Sequence, residues 1–225
     1  MLQPVTTSDG LCVVHLFCIT TPETDNDAVA RAVASAESEG VQVVTVAVLG
    51  HKAEVCFMAM HPDMWQLRDL QTSLDRAGLA AVDSYVSITE VSEYAAGVPD
   101  EMKQMRLFPN LPPEGKSAWC FYPMTKRRNP DQNWYRLSFD QRKELMFEHG
   151  TSGRKFAGRI VQLITASTGL DDWEWGVTLF GVKVEDLKDT VYTMRYDEAS
   201  AVYSEFGEFY TGLVGPVEEI MERIH

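Results

Sequence analysis

Cysteine is scarce in this 225-residue chain: four residues, none in a CxxC pair, leave neither a disulfide framework nor a zinc site to expect. Cys12, Cys18, Cys56 and Cys120 stand singly inside apolar runs and read as buried thiols. Long apolar stretches are missing too. Runs such as VQVVTVAVLG fall well short of the roughly 18 residues a membrane span needs, and MLQPVTTSDG has no cationic leader segment, so a cytoplasmic protein is expected. The phosphate-cradling patterns GxGxxG and GxxxxGK with Ser or Thr are absent, GTSGRK (150–155) being too loose for either, and the nucleophile pattern GxSxG is absent as well. Positive charge is also short: 20 Lys and Arg face 33 Asp and Glu, a formal net charge of -13, which argues against general binding of nucleic acid or anionic membranes. What remains is an ordinary globular composition, 45% hydrophobic and 24% charged, which excludes disorder and fibres and allows one or two domains with real cores.

The sign of the charge is local. Residues 1–100 carry 4 Lys and Arg against 14 Asp and Glu, whereas residues 101–160 carry 12 against 6. Such a basic island is either a solvated face or a site for a small, multiply anionic ligand.

Periodicity organises the first hundred residues into six elements. LCVVHLFCIT (11–20) is β-rich and bounded by Gly10 and Pro22. Thr24 or Asp25 caps a helix in which Ala28, Val29, Ala32, Val33 and Ala36 recur until Gly40. VQVVTVAVLG (41–50) and EVCFMAMH (54–61) are strands. Pro62 opens a helix at its first turn, striped by Met64, Trp65, Leu67, Leu70 and Leu74 and stopped at Gly78; VDSYVSITEV (82–91) alternates as a strand. This βαββαβ order is the ferredoxin-like unit. It recurs after the connector 97–116: strand 117–124, a helix from the cap Ser138 toward His149 and Gly150, strands 160–167 and 173–181, a helix from Val184 to about Tyr203 and a strand 205–212. An α+β fold follows, with an N-terminal unit (1–96), the connector and a C-terminal unit (117–225), and a ligand pocket is possible on one sheet. The two four-stranded antiparallel sheets are expected to pack face to face with helices outside, as a dimeric α+β barrel.

The residues that can carry chemistry cluster in the second unit. Tyr122-Pro-Met-Thr-Lys126-Arg127-Arg128 sets a phenol at a strand end near a lysine, a pairing that can lower a phenol pKa or hold an anion against it; an aromatic core residue followed by a basic loop fits equally. His149 is either a helix-terminal histidine with Gly150 as the stop, or a metal ligand. With no second ligand at zinc spacing, the metal reading favours a porphyrin iron, whose macrocycle supplies four nitrogens. Gln162 interrupts an apolar strand face, and its amide can bond a small oxygen ligand or a core neighbour. Ser200 reads as helix packing or as a hydroxyl for a carboxylate, and Trp173 and Trp175 as core or as walls for a flat ligand.

RLFPNLP (106–112), CFYPMTKRR (120–128), NWYRLSFDQRKELMFEHG (133–150), GRKFAGRIVQLITASTGLDDWEWGVTLFG (153–181) and MRYDEASAVYSEFGEFYTG (194–212) together resemble the chlorite dismutase superfamily, and within it the coproheme decarboxylase branch, the peroxide-dependent haem synthases of bacteria. The resemblance spans about residues 10–215 and is most specific in the second half. It implies two ferredoxin-like units per subunit and a homopentamer. It also implies hydrogen peroxide-dependent decarboxylation of two propionates of iron coproporphyrin III (coproheme) to vinyl groups, giving haem b. On the motifs as they stand here, Tyr122 is the implied radical residue and Lys126 a propionate-positioning lysine. His149 is the implied iron ligand, Gln162 the distal residue where chlorite-decomposing members carry arginine, Arg106 and Ser200 propionate contacts, and Met124 a porphyrin neighbour. Phe108 replaces the tyrosine of RLYP, and Glu198 is the acidic residue expected to orient His149. A coproporphyrin ferrochelatase is the implied donor of coproheme. A chlorite dismutase, a dye-decolourising type of haem peroxidase and a non-catalytic haem carrier are the competing functions.

Overall fold

The computed structural model describes residues 2–95 and 97–224. The first unit is β1 (Cys12–Ile19), α1 (Asn26–Ser38), β2 (Gln42–Leu49), β3 (Val55–His61), α2 (Met64–Arg76) and β4 (Ala80–Thr89). Asp25 caps α1 by accepting from the Ala28 amide. Pro62 stays outside α2, because Asp63 accepts from the Trp65 amide as N-cap and the helix begins at Met64, two residues later than expected.

The second unit is β5 (Ala118–Lys126), α4 (Phe139–Arg154), β8 (Ile160–Ala166), β9 (Trp175–Gly181), α5 (Val184–Met194), α6 (Glu198–Ala201), β10 (Ser204–Phe206) and β11 (Tyr210–Val214). The remaining elements are α3 (Asp100–Leu107) in the connector, a small hairpin of β6 (Arg128–Asn129) and β7 (Gln132–Asn133), and α7 (Val217–Ile224). Three expectations are corrected. Helix α4 runs through Gly150 to Arg154, so His149 lies inside a helix and not at its end. The expected helix 184–203 breaks at Asp197, whose extended backbone starts α6. The last strand divides around Gly207, where an added Cβ would stand 2.7 Å from Pro123 and 2.9 Å from Trp173.

Each unit has the strand order of a ferredoxin-like fold, β4-β1-β3-β2 and β11-β5-β9-β8, all antiparallel. The units do not simply stack. β11 bonds to β2 from Thr211↔Leu49 to Val214↔Val46, and β4 bonds to β8 at Ile88↔Ala166 and Thr89↔Thr165. The eight strands therefore close into a ring with no free edge, and β10 lies beyond β11 on the same side of β5. Gly212 makes one seam possible, since a Cβ there would stand 2.5 Å from the Ala47 carbonyl oxygen.

Alternation divides every strand between two environments. Val13, Phe17, Val44, Met58, Trp119, Phe121, Phe180 and their neighbours fill the barrel. On the first unit's outer face Val14, Leu16, Phe57 and Ala59 pack under α1, α2 and α7. The second unit is covered less completely. Ala118, Cys120, Tyr122, Val177 and Leu179 pack with Leu187 of α5, but α4 rests on α5 and α6, and on the outer face of β8 both Gln162 and Ile164 are exposed. All four cysteines are buried and free. No described helix is long and apolar enough to cross a membrane.

Candidate functional site

Strand β5 turns Phe121 into the barrel and Tyr122, Met124 and Lys126 outward. Tyr122 is paired with Val177, stacked on Phe209 at 4.4 Å and edge-on to Phe206 at 5.7 Å. Only 7% of it is exposed, and its hydroxyl has no hydrogen-bond partner among the described residues. Burial, helped by nearby Cys120, pushes the phenol pKa up. The expectation that Lys126 lowers it is thus reversed: Tyr122 stays a neutral phenol.

Lys126 explains why. Its ammonium turns inward, donating to the Ala199 carbonyl at 2.6 Å and to Ser204 Oγ at 3.0 Å, and it sits 4.4 Å over the Trp134 ring. Burial lowers it to about 8 against the opposing pull of Glu174. Two of its three hydrogens are thus committed to α6 and its flank. Glu174, which the sequence did not single out, pins the strand end by accepting from the Lys126 amide at 2.9 Å, from Thr125 Oγ1 at 2.5 Å and from Arg128. Burial alone would raise its carboxyl, and these donors hold it below its ordinary value.

Five of the twelve cations of the basic island are paired among the described residues, each with an acid from outside it. Arg128 pairs with Glu174, Arg127 with Glu205, Arg159 with Asp186 and Lys103 with Asp100, while Arg142 donates to the Tyr94 hydroxyl and thereby ties the segment after β4 to α4. Arg106, exposed at the end of α3, has no ion pair or hydrogen bond from its side chain among the described residues. Phe108 beside it is 45% exposed.

His149 projects from α4 with 22% of its side chain exposed. Its Nδ1 lies 3.2 Å from Asp197 Oδ2 and 3.4 Å from Ser200 Oγ, and its Nε2 has no partner among the described residues. Burial and then the Lys126 ammonium lower its pKa, against Asp197. The imidazole is therefore neutral, with its proton on Nδ1 facing the carboxylate and the Nε2 lone pair open, as a metal-binding histidine requires. Asp197, not Glu198, is the orienting acid. The break between α5 and α6 turns Asp197 toward α4, whereas Glu198 is exposed. Ser200 is 7% exposed beneath the same imidazole, which departs from a propionate contact.

Around this pair Met124 is half-buried, set between Trp175 and Phe206. Gln162 shares the outer face with Tyr122, but across Leu179 it is level with Cys120, and Ile164 is the β8 residue level with Tyr122. Trp175 bonds to Glu90 at 3.4 Å, while Trp173 packs against the barrel core. No group of three or more His, Cys, Asp or Glu is placed to hold a metal ion among the described residues, so an iron at His149 has to bring its other ligands with it. An open Nε2 beside an uncovered, partly apolar sheet face fits a metalloporphyrin in this respect.

Comparison with known proteins decides the family, because the model described as chlorite dismutase matches residues 23–215. The chain belongs to the chlorite dismutase family. Among its curated relatives in the family is a protein named coproheme decarboxylase from Staphylococcus carnosus (strain TM300), 44% identical over 183 residues that make up 77% of this chain and 73% of that one. A structure described as a novel heme-binding protein from Thermus thermophilus superposes with a TM-score of 0.84 at 31% identity, covering 99% of this chain and 98% of the other. A chlorite dismutase from Candidatus Nitrospira defluvii, at 19% identity, shares the fold with a TM-score of 0.76 over 97% of this chain and 96% of the other.

Proposed function

We propose that this chlorite dismutase family member decarboxylates two propionates of iron coproporphyrin III to vinyl groups with hydrogen peroxide, giving haem b, with His149 as the iron's protein ligand and Tyr122 as the radical residue. The observation that carries it is Tyr122 itself. A phenol kept neutral by burial, with an unbonded hydroxyl, is suited to losing a hydrogen atom and unsuited to acid–base work. The 44% identity to a coproheme decarboxylase supports the same substrate.

Bound coproheme is the substrate and supplies the redox centre that peroxide oxidises. Tyr122 gives up an electron and its proton, then takes a hydrogen atom from the propionate β-carbon. Loss of a second electron breaks the bond to the carboxyl carbon, so carbon dioxide leaves and a vinyl group remains; one hydrogen peroxide per propionate, reduced to two waters, would accept both electrons. His149 offers Nε2 while Asp197 and Ser200 hold Nδ1, and burial, with the Lys126 ammonium second, lowers the imidazole pKa. Arg106 is an exposed cation without an ion pair among the described residues, as are Arg136, Lys143 and Lys155, and on the family resemblance it is the one assigned to a propionate, with Met124 at the ring edge. Gln162, a neutral amide, cannot shuttle protons for peroxide cleavage, so slow peroxide chemistry follows. A cytoplasmic homopentamer supplied by a coproporphyrin ferrochelatase completes the proposal, on the family resemblance alone.

A haem-binding role without chemistry is the second reading, supported by the likeness to the Thermus thermophilus protein and by the open Nε2. Anaerobic loading with iron coproporphyrin III, then stepwise peroxide and mass spectrometry of the extracted porphyrin, separates the two. Sequential loss of two carboxyl groups through a three-propionate species supports decarboxylation, and an intact or merely bleached porphyrin rejects it.

A further inference from the structure

We propose that Ser152 is a positioning residue for His149, acting through Asp197 by locking the carboxylate that orients the imidazole. A helical serine or threonine ordinarily returns its hydroxyl to the carbonyl four residues back. Thr151 does so, donating to the Phe147 carbonyl at 2.8 Å. Ser152, the next residue, instead crosses from α4 to α6 and donates to Asp197 Oδ1 at 2.7 Å. Both residues are buried, with 7% and 6% exposed.

The Asp197 backbone is already fixed. Its amide bonds to the Met194 carbonyl, and its own carbonyl accepts from the Ser200 and Ala201 amides. Its side chain makes no cap bond to α6, so the hydrogen bonds that hold its two oxygens come from α4: Ser152 on Oδ1 and His149 on Oδ2. Those two residues stand three apart on one face of the helix, as neighbours do. A groove of about 920 Å³ behind α4 is lined by Ser152 and Asp197 together with Glu144, Glu148, Tyr196 and Glu198, and it brings solvent to the pair. Without the Ser152 hydroxyl the carboxylate is free to turn about its last torsion toward that groove, where water competes for it. Nδ1 then has Ser200 Oγ as its remaining partner, at 3.4 Å, a group that can donate as well as accept and so no longer dictates the tautomer.

The consequence for catalysis rests on His149 being the iron ligand, but the effect on the imidazole does not. In the ligand-free protein, nitrogen-15 NMR of the His149 ring is expected to show one tautomer, protonated at Nδ1, and a mixture of tautomers in Ser152→Ala. In the ferrous coproheme-loaded protein, resonance Raman spectroscopy is expected to place the iron–histidine stretch of Ser152→Ala between those of wild type and Asp197→Asn. Ser152→Thr should restore both signals and shows that the site tolerates substitution. Wild-type signals in Ser152→Ala, alongside shifted ones in Asp197→Asn, would overturn the proposal. If His149→Ala keeps the iron–histidine band, the ligand assignment falls, and the ligand-free tautomer still decides what Ser152 does.

Discussion

Tyr122 and Arg106 mark the two ends of what a single side chain does here. The phenol is buried, neutral and unbonded, whereas the guanidinium is exposed and unpaired. Tyr122→Phe is therefore expected to bind coproheme as wild type does and to leave both propionates intact by mass spectrometry; haem b at the wild-type rate would remove the radical role. Arg106→Ala is expected to weaken coproheme binding by about 1 kcal/mol, roughly fivefold, because an exposed charge pair contributes little more than that. Titration of the porphyrin absorbance measures it, and an unchanged dissociation constant would free Arg106 of any propionate. Tyr122 and His149 stand out in the sequence by motif and by strand or helix position, and the structure sets Tyr122 on the outer face of β5 and His149 on α4. Lys126 and Ser200 were not legible in the same way. Where a long ammonium points, or what a serine hydroxyl touches, depended on α6, which periodicity had merged into one long helix. Asp197 could have been found as an N-cap in RYDEAS, since Asp favours that position over helix interiors.

At the scale of elements, α4 carries His149, and its start is fixed by a reciprocal pair: Ser138 Oγ accepts from the Gln141 amide, and the Gln141 side chain accepts from the Ser138 amide. Ser138→Ala is expected to cost about 1 kcal/mol and, for a chain of this size, to lower Tm by roughly 2–4 °C. Calorimetry at fixed protein concentration tests this, and an unchanged Tm would mean that contacts with α5 and α6 hold the helix start. The six core elements of each unit were readable because a strand with one face in the barrel and a helix with one apolar stripe leave periods of about 2 and 3.6 in the sequence. α3 left no such trace, for Met102 and Met105 are exposed and of its residues only Leu107 is buried. The β6–β7 hairpin, two residues per strand, is too short to show alternation.

For the molecule as a whole, the expected barrel of two ferredoxin-like units is present, and what the sequence left unstated is which strands join at its two seams. Two sheets packed face to face and one sheet closed on itself share every strand and every alternation, and differ only in whether β2 meets β11 and β4 meets β8. The closed barrel buries His15 completely, stacked on Phe121 at 4.2 Å with Nε2 3.1 Å from Thr178 Oγ1. Burial lowers its pKa from 6.5 to about 3. Between those values the unfolded chain takes up a proton that the folded one refuses, so this residue costs stability as pH falls from 6.5 toward 3, by about 1.4 kcal/mol per pH unit. In urea unfolding across that range the stability of wild type is expected to decline toward that of His15→Leu and then below it. Parallel curves would show that His15 is protonated within the barrel.

α7 returns to the first unit. Val217, Ile220 and Met221 complete the core beneath α1 and α2, and Asn26 donates to the Met221 carbonyl. The ribosome makes this helix after every other element described. The first six elements thus emerge with an unfinished apolar face and with β2 and β4 as bare edges, open to other chains until β8, β11 and α7 arrive. The first unit's core is therefore completed only after the second unit has been made.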